Sequence, residues 1–518
     1  MASPNFIVIH TDQHRYDCIG VAERRTGIYT PYIDSIAYQG INFTSAYATC
    51  PLCIPQRLSL LTGQLPERHG LFANVGIPYL PLETTLPSEM RRGGYQTALV
   101  GRTMHTYPFD YPYGFEYYLP GDPSSDKKDS SDRFFHDLRE QSSDEAGGYY
   151  GNGPHNNSRA AAPYHLPDHL HQTKWATNRA LEFLRHRDKS RPYMMFVGFY
   201  APHSPHNPPA EFFNRYYARQ DLDDPYIGNW DIPPVSSGNV MSRYTALSEE
   251  DKRSLYAGYY GNIAFLDTQV GRLMQAAMED RNTYVIFTSD HGEMLGDHYL
   301  MQKNRPYEGA VHIPLMFMGP DIPDSRTTGC PAGWHDLMPT ILELAGLPVP
   351  SSVDGKSLVP LLKGTDDTPS RSYIHGECTH DLMFNSKKRP ESTKHNYVYE
   401  KGSHFLTDGK MKYIWYVTSG REQLFDLQTD YQECCNLAEK PDYQQTLLFW
   451  RKRLIKELAG RPEGFSDGKN LIAGKTPRRT SDTITSLMEQ RREEGFTLAF
   501  QHNPSPIQRM EFYNHLMI

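Results

Sequence analysis

The sequence predicts an α/β fold: a doubly wound, mostly parallel β-sheet, followed by a smaller α+β domain. Four short runs predict the sheet, and they lie at residues 6–10, 95–100, 193–200 and 284–288. Each run is almost continuously apolar, which is typical of strands buried on both faces of a parallel sheet. Helical patterns lie between the runs, as a doubly wound sheet requires.

Two of the helical patterns are well marked. One covers residues 173–184, ahead of the third apolar run. The other begins near Ser248, where Ser248-Glu249-Glu250-Asp251 fits a capping box, and it extends to about Met278. Strands and helices therefore alternate along the first two thirds of the chain.

Each apolar run ends in a group of polar residues. The groups are Thr11-Asp12-Gln13, Gly101-Arg102, Ala201-Pro202-His203 and Ser289-Asp290-His291. Open α/β sheets bind their ligands at the carboxyl ends of the strands. The pattern therefore predicts that these four segments converge on one site.

The catalytic domain is predicted to cover residues 1–369, with an insertion at residues 121–170. The insertion is polar and rich in turn-forming residues, which predicts a surface loop. It contains His155, His165 and His169, so it could reach over the site as a lid.

The pattern changes near residue 370. Residues 412–417 and 423–427 are predicted to be antiparallel strands joined by a turn at Ser419-Gly420, and a helix is predicted at 443–458. Together they predict an α+β subdomain over residues 370–461.

Residues 462–518 are predicted to form a C-terminal tail with one helix near 483–494. The end of the tail, residues 510–518, is unusually apolar and aromatic. We expect it to pack on this subunit or on a neighbouring one, which would make a homo-oligomer.

The composition argues against two classes of partner. A net charge of -8 over 518 residues leaves no basic excess for nucleic acid, and no apolar run is long enough to span a membrane. Seven scattered cysteines do not suggest a disulfide framework, and no signal-peptide pattern is visible. A cytoplasmic location is expected; a periplasmic or secreted one would require that a signal peptide had been removed.

Cys53-Ile54-Pro55-Gln56-Arg57 is the most informative motif, and it opens an apolar helical stretch that continues to Gly63. It resembles the C-x-P-x-R signature of the type I sulfatases, in the alkaline phosphatase-like superfamily. On the motif alone, the alternative is a buried structural cysteine ahead of a helix. The resemblance extends over most of the chain, apart from the insertion and the tail.

The resemblance implies an alkaline phosphatase-like fold and a nucleophile made from Cys53. A formylglycine-generating enzyme would oxidise Cys53 to formylglycine, whose hydrated aldehyde attacks sulfur. Arg57 lies one helical turn further on and would hold the hydrate by charge-assisted hydrogen bonds.

A divalent cation is predicted at Asp12, Gln13, Asp290 and His291, because these side chains offer mostly oxygen ligands. The resemblance implies that the cation, usually Ca²⁺, also contacts the residue made from Cys53. Gln13 and His291 replace the Asp and Asn of many relatives, as in choline-sulfatase-like and phosphonate-monoester-hydrolase-like members. Mn²⁺ and Mg²⁺ are therefore alternatives to Ca²⁺.

The resemblance also implies roles for Lys303 and His203. Lys303 matches the sulfate-binding lysine and is a candidate to help protonate the leaving oxygen; alone, it would be a solvated surface lysine. His203 lies in a proline-rich loop and matches a second histidine, which would serve as an acid or bind the anion.

One segment departs from the family pattern. The usual Gly-Lys-x-His is replaced by Gly101-Arg102-Thr103-Met104-His105, so arginine replaces lysine and the histidine comes one residue late. Arg102 is predicted to bind the substrate, and His105 to be the base that releases sulfate. If no kink turns His105 inward, Thr103 would fill that space.

The predicted function is hydrolysis of sulfate monoesters, of aryl or carbohydrate type. The first alternative is a phosphonate monoester or phosphodiester hydrolase that uses the same nucleophile. The second is a catalytically inactive binding protein, which the intact Cys53, Arg57, Asp12, Asp290 and Lys303 argue against.

Overall fold

The computed structural model describes residues 3–75, 82, 84–105, 111–123, 132–142, 147–155, 158–231, 244–379 and 400–493. The strands are β1 Asn5–Asp12, β2 Gly40–Phe43, β3 Gln96–Gly101, β4 Tyr117–Pro120, β5 Tyr193–Pro202, β6 Thr283–Ser289, β7 Leu315–Met318, β8 Arg326–Thr328, β9 Ile374–Thr379, β10 Gly402–Thr407, β11 Met411–Tyr416 and β12 Glu422–Asp426. The helices are α1 Pro31–Tyr38, α2 Cys53–Thr62, α3 Pro66–His69, α4 Leu86–Arg92, α5 Arg133–Gln141, α6 Gln172–His186, α7 Ala210–Tyr217, α8 Glu249–Met278, α9 Glu308–Val311, α10 Leu337–Leu344, α11 Val359–Lys363, α12 Gln444–Glu457 and α13 Asp482–Glu493.

The larger sheet has eight strands in the order β4-β3-β5-β1-β6-β7-β2-β8. The pairs from β4 through to β6 are all parallel, whereas β7 pairs antiparallel with both of its neighbours. The predicted mostly parallel sheet is therefore confirmed, and the four apolar runs are its β1, β3, β5 and β6.

Helices cover both faces of this sheet. Successive side chains of a strand point to opposite faces, so the residues of β1 pack alternately against the two layers of helices. Ile7 and Ile9 of β1 pack in one cluster with side chains of α1, α6 and α8. Phe6 and Val8 pack in another cluster with side chains of α2, α4 and α10. Asp12 continues the second series, so it lies on the α2 side of the sheet.

The two predicted helices are present as α6 and α8. Ser248 caps α8, and its hydroxyl accepts a hydrogen bond from the amide of Asp251 at 3.1 Å, as in a capping box. Among the described residues, no helix combines the length and the apolar character that crossing a membrane requires.

The segment 121–170 differs from the surface loop that its composition predicts. It contains α5, which buries Phe134, Phe135 and Leu138. The indole Nε1 of Trp175 in α6 donates to Asp137 of α5 at 2.8 Å. Turn-forming residues dominated the prediction, but a short amphipathic helix lies between them and packs on the main domain.

The smaller sheet is antiparallel, with the order β12-β11-β10-β9. The two predicted strands are β11 and β12, and the predicted helix is α12, which packs on β10 and β11. β9 and β10 were not predicted, since glycine and histidine interrupt their apolar pattern.

The predicted tail helix is α13, and it lies against the helix that carries Cys53. Ile484 of α13 packs with Ile54 and Leu58 of α2, while the amide of Ser481 donates to the carbonyl of Gly70 at 2.8 Å. The apolar end at 510–518, with its predicted packing and homo-oligomer, lies outside the described residues.

Candidate active site

Cys53 is the first residue of α2, a helix whose ten residues are all buried. Pro55 is tolerated because the first-turn amides of a helix have no partner within it. Arg57 is four residues after Cys53, so the two side chains lie on the same face of the helix, one turn apart. The spacing of the motif therefore brings a guanidinium next to the thiol.

Arg57 joins the ends of the two central strands. Its Nη2 donates to Asp290 Oδ2 at 2.8 Å and to Asp12 Oδ2 at 3.1 Å. β1 and β6 are parallel neighbours, with Thr11 paired to Ser289, so the residues that follow each pair lie side by side. All three charged side chains are fully buried.

Four potential metal ligands meet at this point. One atom each from Asp12, Cys53, Asp290 and His291 lies within 4.8 Å of the other three. Cys53 Sγ is 3.2 Å from His291 Nε2. Asp12 Oδ1 is buried without a hydrogen-bonding partner among the described residues. An unpaired buried carboxylate oxygen is costly, so this donor set fits a bound cation.

Gln13 is held beside these ligands in the left-handed conformation, with φ of 70°. Its Nε2 donates to the buried carboxylate of Glu293, and its Oε1 accepts from Lys303 Nζ at 2.7 Å. Glu293 thereby fixes which end of the amide is the oxygen end. Lys303 is 8% exposed, so it is not a solvated surface lysine.

Arg102 lies between two carboxylates. Its Nε donates to Asp12 Oδ2 at 2.8 Å, and its Nη1 forms an ion pair with Asp122. The guanidinium also lies over the ring of Tyr200, 4.4 Å from the centroid. Arg102 is therefore fixed in the wall of the site.

His105 is turned towards Arg102 by a kink. Its φ is 56°, a left-handed conformation that is uncommon outside glycine, and its Nε2 lies 3.3 Å from Asp122 Oδ2. Thr103 uses its main chain instead, since its carbonyl accepts from Arg57 Nη1 at 2.8 Å. His105, and not Thr103, therefore places its side chain beside Arg102 and Asp122.

His203 is anchored through its main chain and its ring. Its amide donates to the carbonyl of Asp12 at 3.1 Å, and its Nδ1 lies 2.8 Å from the carbonyl of Ser204. An Nδ1–H donor to that carbonyl leaves Nε2 as the acceptor of a neutral ring. The loop after β5 therefore meets the loop after β1.

Burial and charge set the protonation of the site. Burial, followed by the charge of Asp12, raises the pKa of the Cys53 thiol to about 11. Burial, followed by the charge of Arg102, lowers the pKa of His105 to about 4. Burial alone would raise the pKa of Asp12, but neighbouring cations, first Arg102, hold it well below its usual range. At neutral pH the site therefore has a neutral thiol, a neutral His105 and an ionised Asp12.

These groups could bind a doubly or singly charged tetrahedral anion. The helix terminus that carries Cys53 is surrounded by potential oxygen ligands for a cation, by two guanidinium groups and by an ammonium group. The free amides at this helix terminus also favour negative charge.

Comparison with known proteins identifies the family of this chain. A family model described as Sulfatase matches residues 4–347, about two thirds of the chain. The chain belongs to the sulfatase family. A second model, described as N-sulphoglucosamine sulphohydrolase, C-terminal, matches residues 296–459 of this sulfatase. The family assignment and the predicted alkaline phosphatase-like fold are confirmed.

Relatives cover nearly the whole of this sulfatase. An arylsulfatase of Clostridium perfringens is 33% identical, with 91% of this chain and 98% of that protein aligned. A choline-sulfatase of Rhizobium meliloti is 29% identical over 85% and 83% of the two chains. The sulfatase is accordingly an enzyme, a sulfuric ester hydrolase.

A solved structure of a phosphonate monoester hydrolase from Agrobacterium radiobacter is also similar. Its TM-score is 0.69 with 26% identity, covering 88% of the sulfatase and 95% of that chain. Hydrolases of sulfur esters and of phosphorus esters therefore share this fold, so the fold alone does not determine which type of ester is the substrate.

The sequence did not point to two residues of this sulfatase site. Glu293 follows Asp290 closely, but a single glutamate in a loop carries no signal for contact with Gln13. Asp122 follows β4, and the strand-end rule would have found it had Tyr117–Pro120 been recognised as a strand. That strand is short and only partly buried, so its pattern is weak.

Proposed function

We propose that this sulfatase hydrolyses sulfate monoesters with formylglycine at position 53 and a divalent cation held by Asp12, Gln13, Asp290 and His291. One observation carries the proposal: Cys53 begins the buried helix α2 and contacts His291 at 3.2 Å, beside an unpaired oxygen of Asp12. A merely structural cysteine would not need the buried charges of Asp12, Asp290 and Lys303 beside it.

Each added group would supply one kind of chemistry. The hydrated aldehyde of formylglycine would supply one hydroxyl that attacks sulfur and a second whose deprotonation expels sulfate and restores the aldehyde. The cation would acidify a hydroxyl and polarise the ester oxygens, as Ca²⁺, Mn²⁺ or Mg²⁺ can.

The protein's own side chains would bind and orient the ester. Arg57 would hold the residue at position 53 by charge-assisted hydrogen bonds. Lys303 would bind a sulfate oxygen and help protonate the leaving alcohol, and His203 would share that task. His105 would accept the proton that is removed when sulfate is expelled.

Maturation gives the direct test. Protein made with a formylglycine-generating enzyme is expected to carry an aldehyde in place of the thiol at position 53. Peptide mass spectrometry measures the conversion, and turnover of an aryl sulfate should rise in proportion to it. Turnover that does not depend on the converted fraction would contradict the mechanism.

Phosphonate monoesters and phosphodiesters are the second candidate substrates. Gln13 and His291 favour this alternative, as does the similarity to the phosphonate monoester hydrolase fold. Matched aryl sulfate, phosphate, phosphodiester and phosphonate esters should be compared by kcat/KM. We expect the sulfate to be preferred; a phosphonate or diester turned over faster than every sulfate, including sulfated sugars, would reverse the assignment.

A further inference from the structure

We propose that Asp122 is a positioning residue that holds Arg102 and His105 in place for the release of sulfate. The inference rests on the proposed function and names a residue that acts in its second step. Asp122 acts through the two neighbouring side chains.

Asp122 lies between the two residues by which this chain departs from the family pattern. One carboxylate oxygen forms the ion pair with Arg102, and Oδ2 lies 3.3 Å from His105 Nε2. Arg102 reaches Asp12 with its other side, through Nη2 at 2.7 Å. A planar guanidinium can join two carboxylates in this way, whereas a lysine ammonium lacks the fork. Arginine and Asp122 therefore form a matched pair.

Asp122 is itself held in place from two directions, by the start of α5 and by the main domain. Its amide donates to Asp132, which also caps α5 by accepting from the Phe135 amide at 3.1 Å. The amide of Gly121 donates to the carbonyl of Gly101 at 2.8 Å. A side chain at Gly121 would collide with Trp175, since a Cβ would lie 2.2 Å from the indole. The carboxylate is thus fully buried and has little freedom to move.

His105 needs such a support. It occupies a left-handed conformation, and its side chain is 17% exposed. A carboxylate beside Nε2 favours the tautomer that has its proton there, which leaves Nδ1 to accept a proton. When sulfate leaves with the electron pair of its carbon–oxygen bond, the remaining hydroxyl becomes the carbonyl, and its proton passes to His105.

The first step does not use His105 as a base, so loss of Asp122 should lower kcat through the second step, whereas any shift of Arg102, which is predicted to bind the substrate, should raise KM. We expect Asp122→Asn to lower kcat roughly 100-fold or more. The aryl alcohol should still be released in a rapid burst that matches the enzyme concentration, and intact-protein mass spectrometry should show sulfated enzyme accumulating. Asp137→Asn is the matched control, because Asp137 is a buried carboxylate of the same segment that bonds to Trp175.

A double-mutant cycle distinguishes positioning from a general structural role. In a His105→Ala background, Asp122→Asn should cause little further loss of kcat, since both changes remove the same function. If Asp122→Asn does not give folded protein, Asp122→Glu carries the test, because it keeps the charge but displaces the carboxylate from Arg102 and His105; the same burst and slow turnover are expected.

Two results would overturn the inference in converted, active enzyme. One is wild-type kcat in Asp122→Asn, and the other is loss of the burst together with the steady state. These results can be distinguished from a failure of the proposed function. In that case the wild-type protein itself would lack formylglycine or would not hydrolyse sulfate esters.

Discussion

Two clusters of buried charges lie near the carboxyl ends of β1 and β6, and they differ in how completely their carboxylates are paired. The first cluster, which we call the proposed metal cluster, contains Asp12, Arg57 and Asp290. The second cluster, which we call the ion-pair network, contains Arg15, Asp17, Arg25 and Asp297.

Every carboxylate oxygen of the ion-pair network accepts a hydrogen bond. Asp17 binds Arg15 and Arg25 at 2.7 Å, and Asp297 binds the same two arginines through Oδ2 while Oδ1 accepts from the amide of Tyr226. Arg15 also donates to the carbonyl of Glu293 at 2.7 Å. The ion-pair network thereby locks the loops against each other.

The proposed metal cluster is left incomplete. Asp12 Oδ1 lacks a hydrogen-bonding partner among the described residues. So do both ring nitrogens of His10, a buried histidine next to the cluster. Unpaired buried polar atoms destabilise a fold unless a ligand, ion or water satisfies them. In the ion-pair network the unpartnered buried atom is a donor, Arg25 Nη1, and every carboxylate oxygen is paired. The difference teaches that fully paired carboxylates mark the structural cluster, whereas an unpaired carboxylate oxygen marks the cluster proposed to bind a cation.

The largest expected effect is on activity, at Cys53. Cys53→Ala should abolish turnover and leave the thermal midpoint almost unchanged, because the formylglycine made from Cys53 would supply the nucleophile, while the side chain contributes little to the packing. Rates with an aryl sulfate and a melting curve measure both. Cys50→Ala is the matched control, since Cys50 is another buried cysteine nearby; equal loss in both variants would contradict a specific role for Cys53.

Asp290→Asn should release the cation and lower kcat/KM by orders of magnitude. Its carboxylate is a proposed ligand and also the partner of Arg57, so the amide removes charge at the centre of the site. Elemental analysis of the purified variant gives the metal content. Asp34→Asn, a buried aspartate on α1, should keep its metal, and stoichiometric metal in Asp290→Asn would remove that residue from the ligand set.

In the ion-pair network, Arg25→Met should act on stability. Removing one partner leaves buried carboxylates uncompensated, which costs about 3–5 kcal/mol in the free energy of unfolding. Urea unfolding measures this loss. The control is Arg68→Met, which breaks the pair with Asp354 at a side chain that is 53% exposed and should cost below about 1 kcal/mol. Similar losses in the two variants would show that the network is not a structural lock.

Acid should weaken the ion-pair network by a smaller amount. Burial alone would raise the pKa of Asp17 and of Asp297, but Arg15 and Arg25 lower both. Unfolded aspartate titrates near about 3.9, so the stabilisation is complete above that pH and is lost as the pH falls towards the folded values. The urea midpoint should therefore drop below about pH 4.

The pH dependence of the urea midpoint should also be measured for Arg25→Met, to test whether the ion-pair network causes the acid effect. With one arginine removed, the folded pKa values of Asp17 and Asp297 should rise towards those of the unfolded chain. The midpoint should then depend less on acid than in the wild type. An equal dependence would assign the acid effect to other carboxylates.

The sequence by itself determined the fold class and the chemistry at the strand ends. Continuous apolar runs are enough to identify β1, β3, β5 and β6, because burial on both faces leaves no room for polar residues. The motif from Cys53 to Arg57 sets its own geometry, since four residues make one helical turn. Asp12 and Asp290 follow from the rule that parallel strands end at the same edge.

Only the tertiary structure decided the contacts between segments that are distant in sequence. Asp122 contacts Arg102 across a loop, and α13 supports α2 from the far end of the chain. His105 reaches Asp122 only because its backbone adopts a left-handed conformation, and no residue type other than glycine signals that conformation reliably. Such contacts depend on the packing of whole elements, which local residue patterns do not encode.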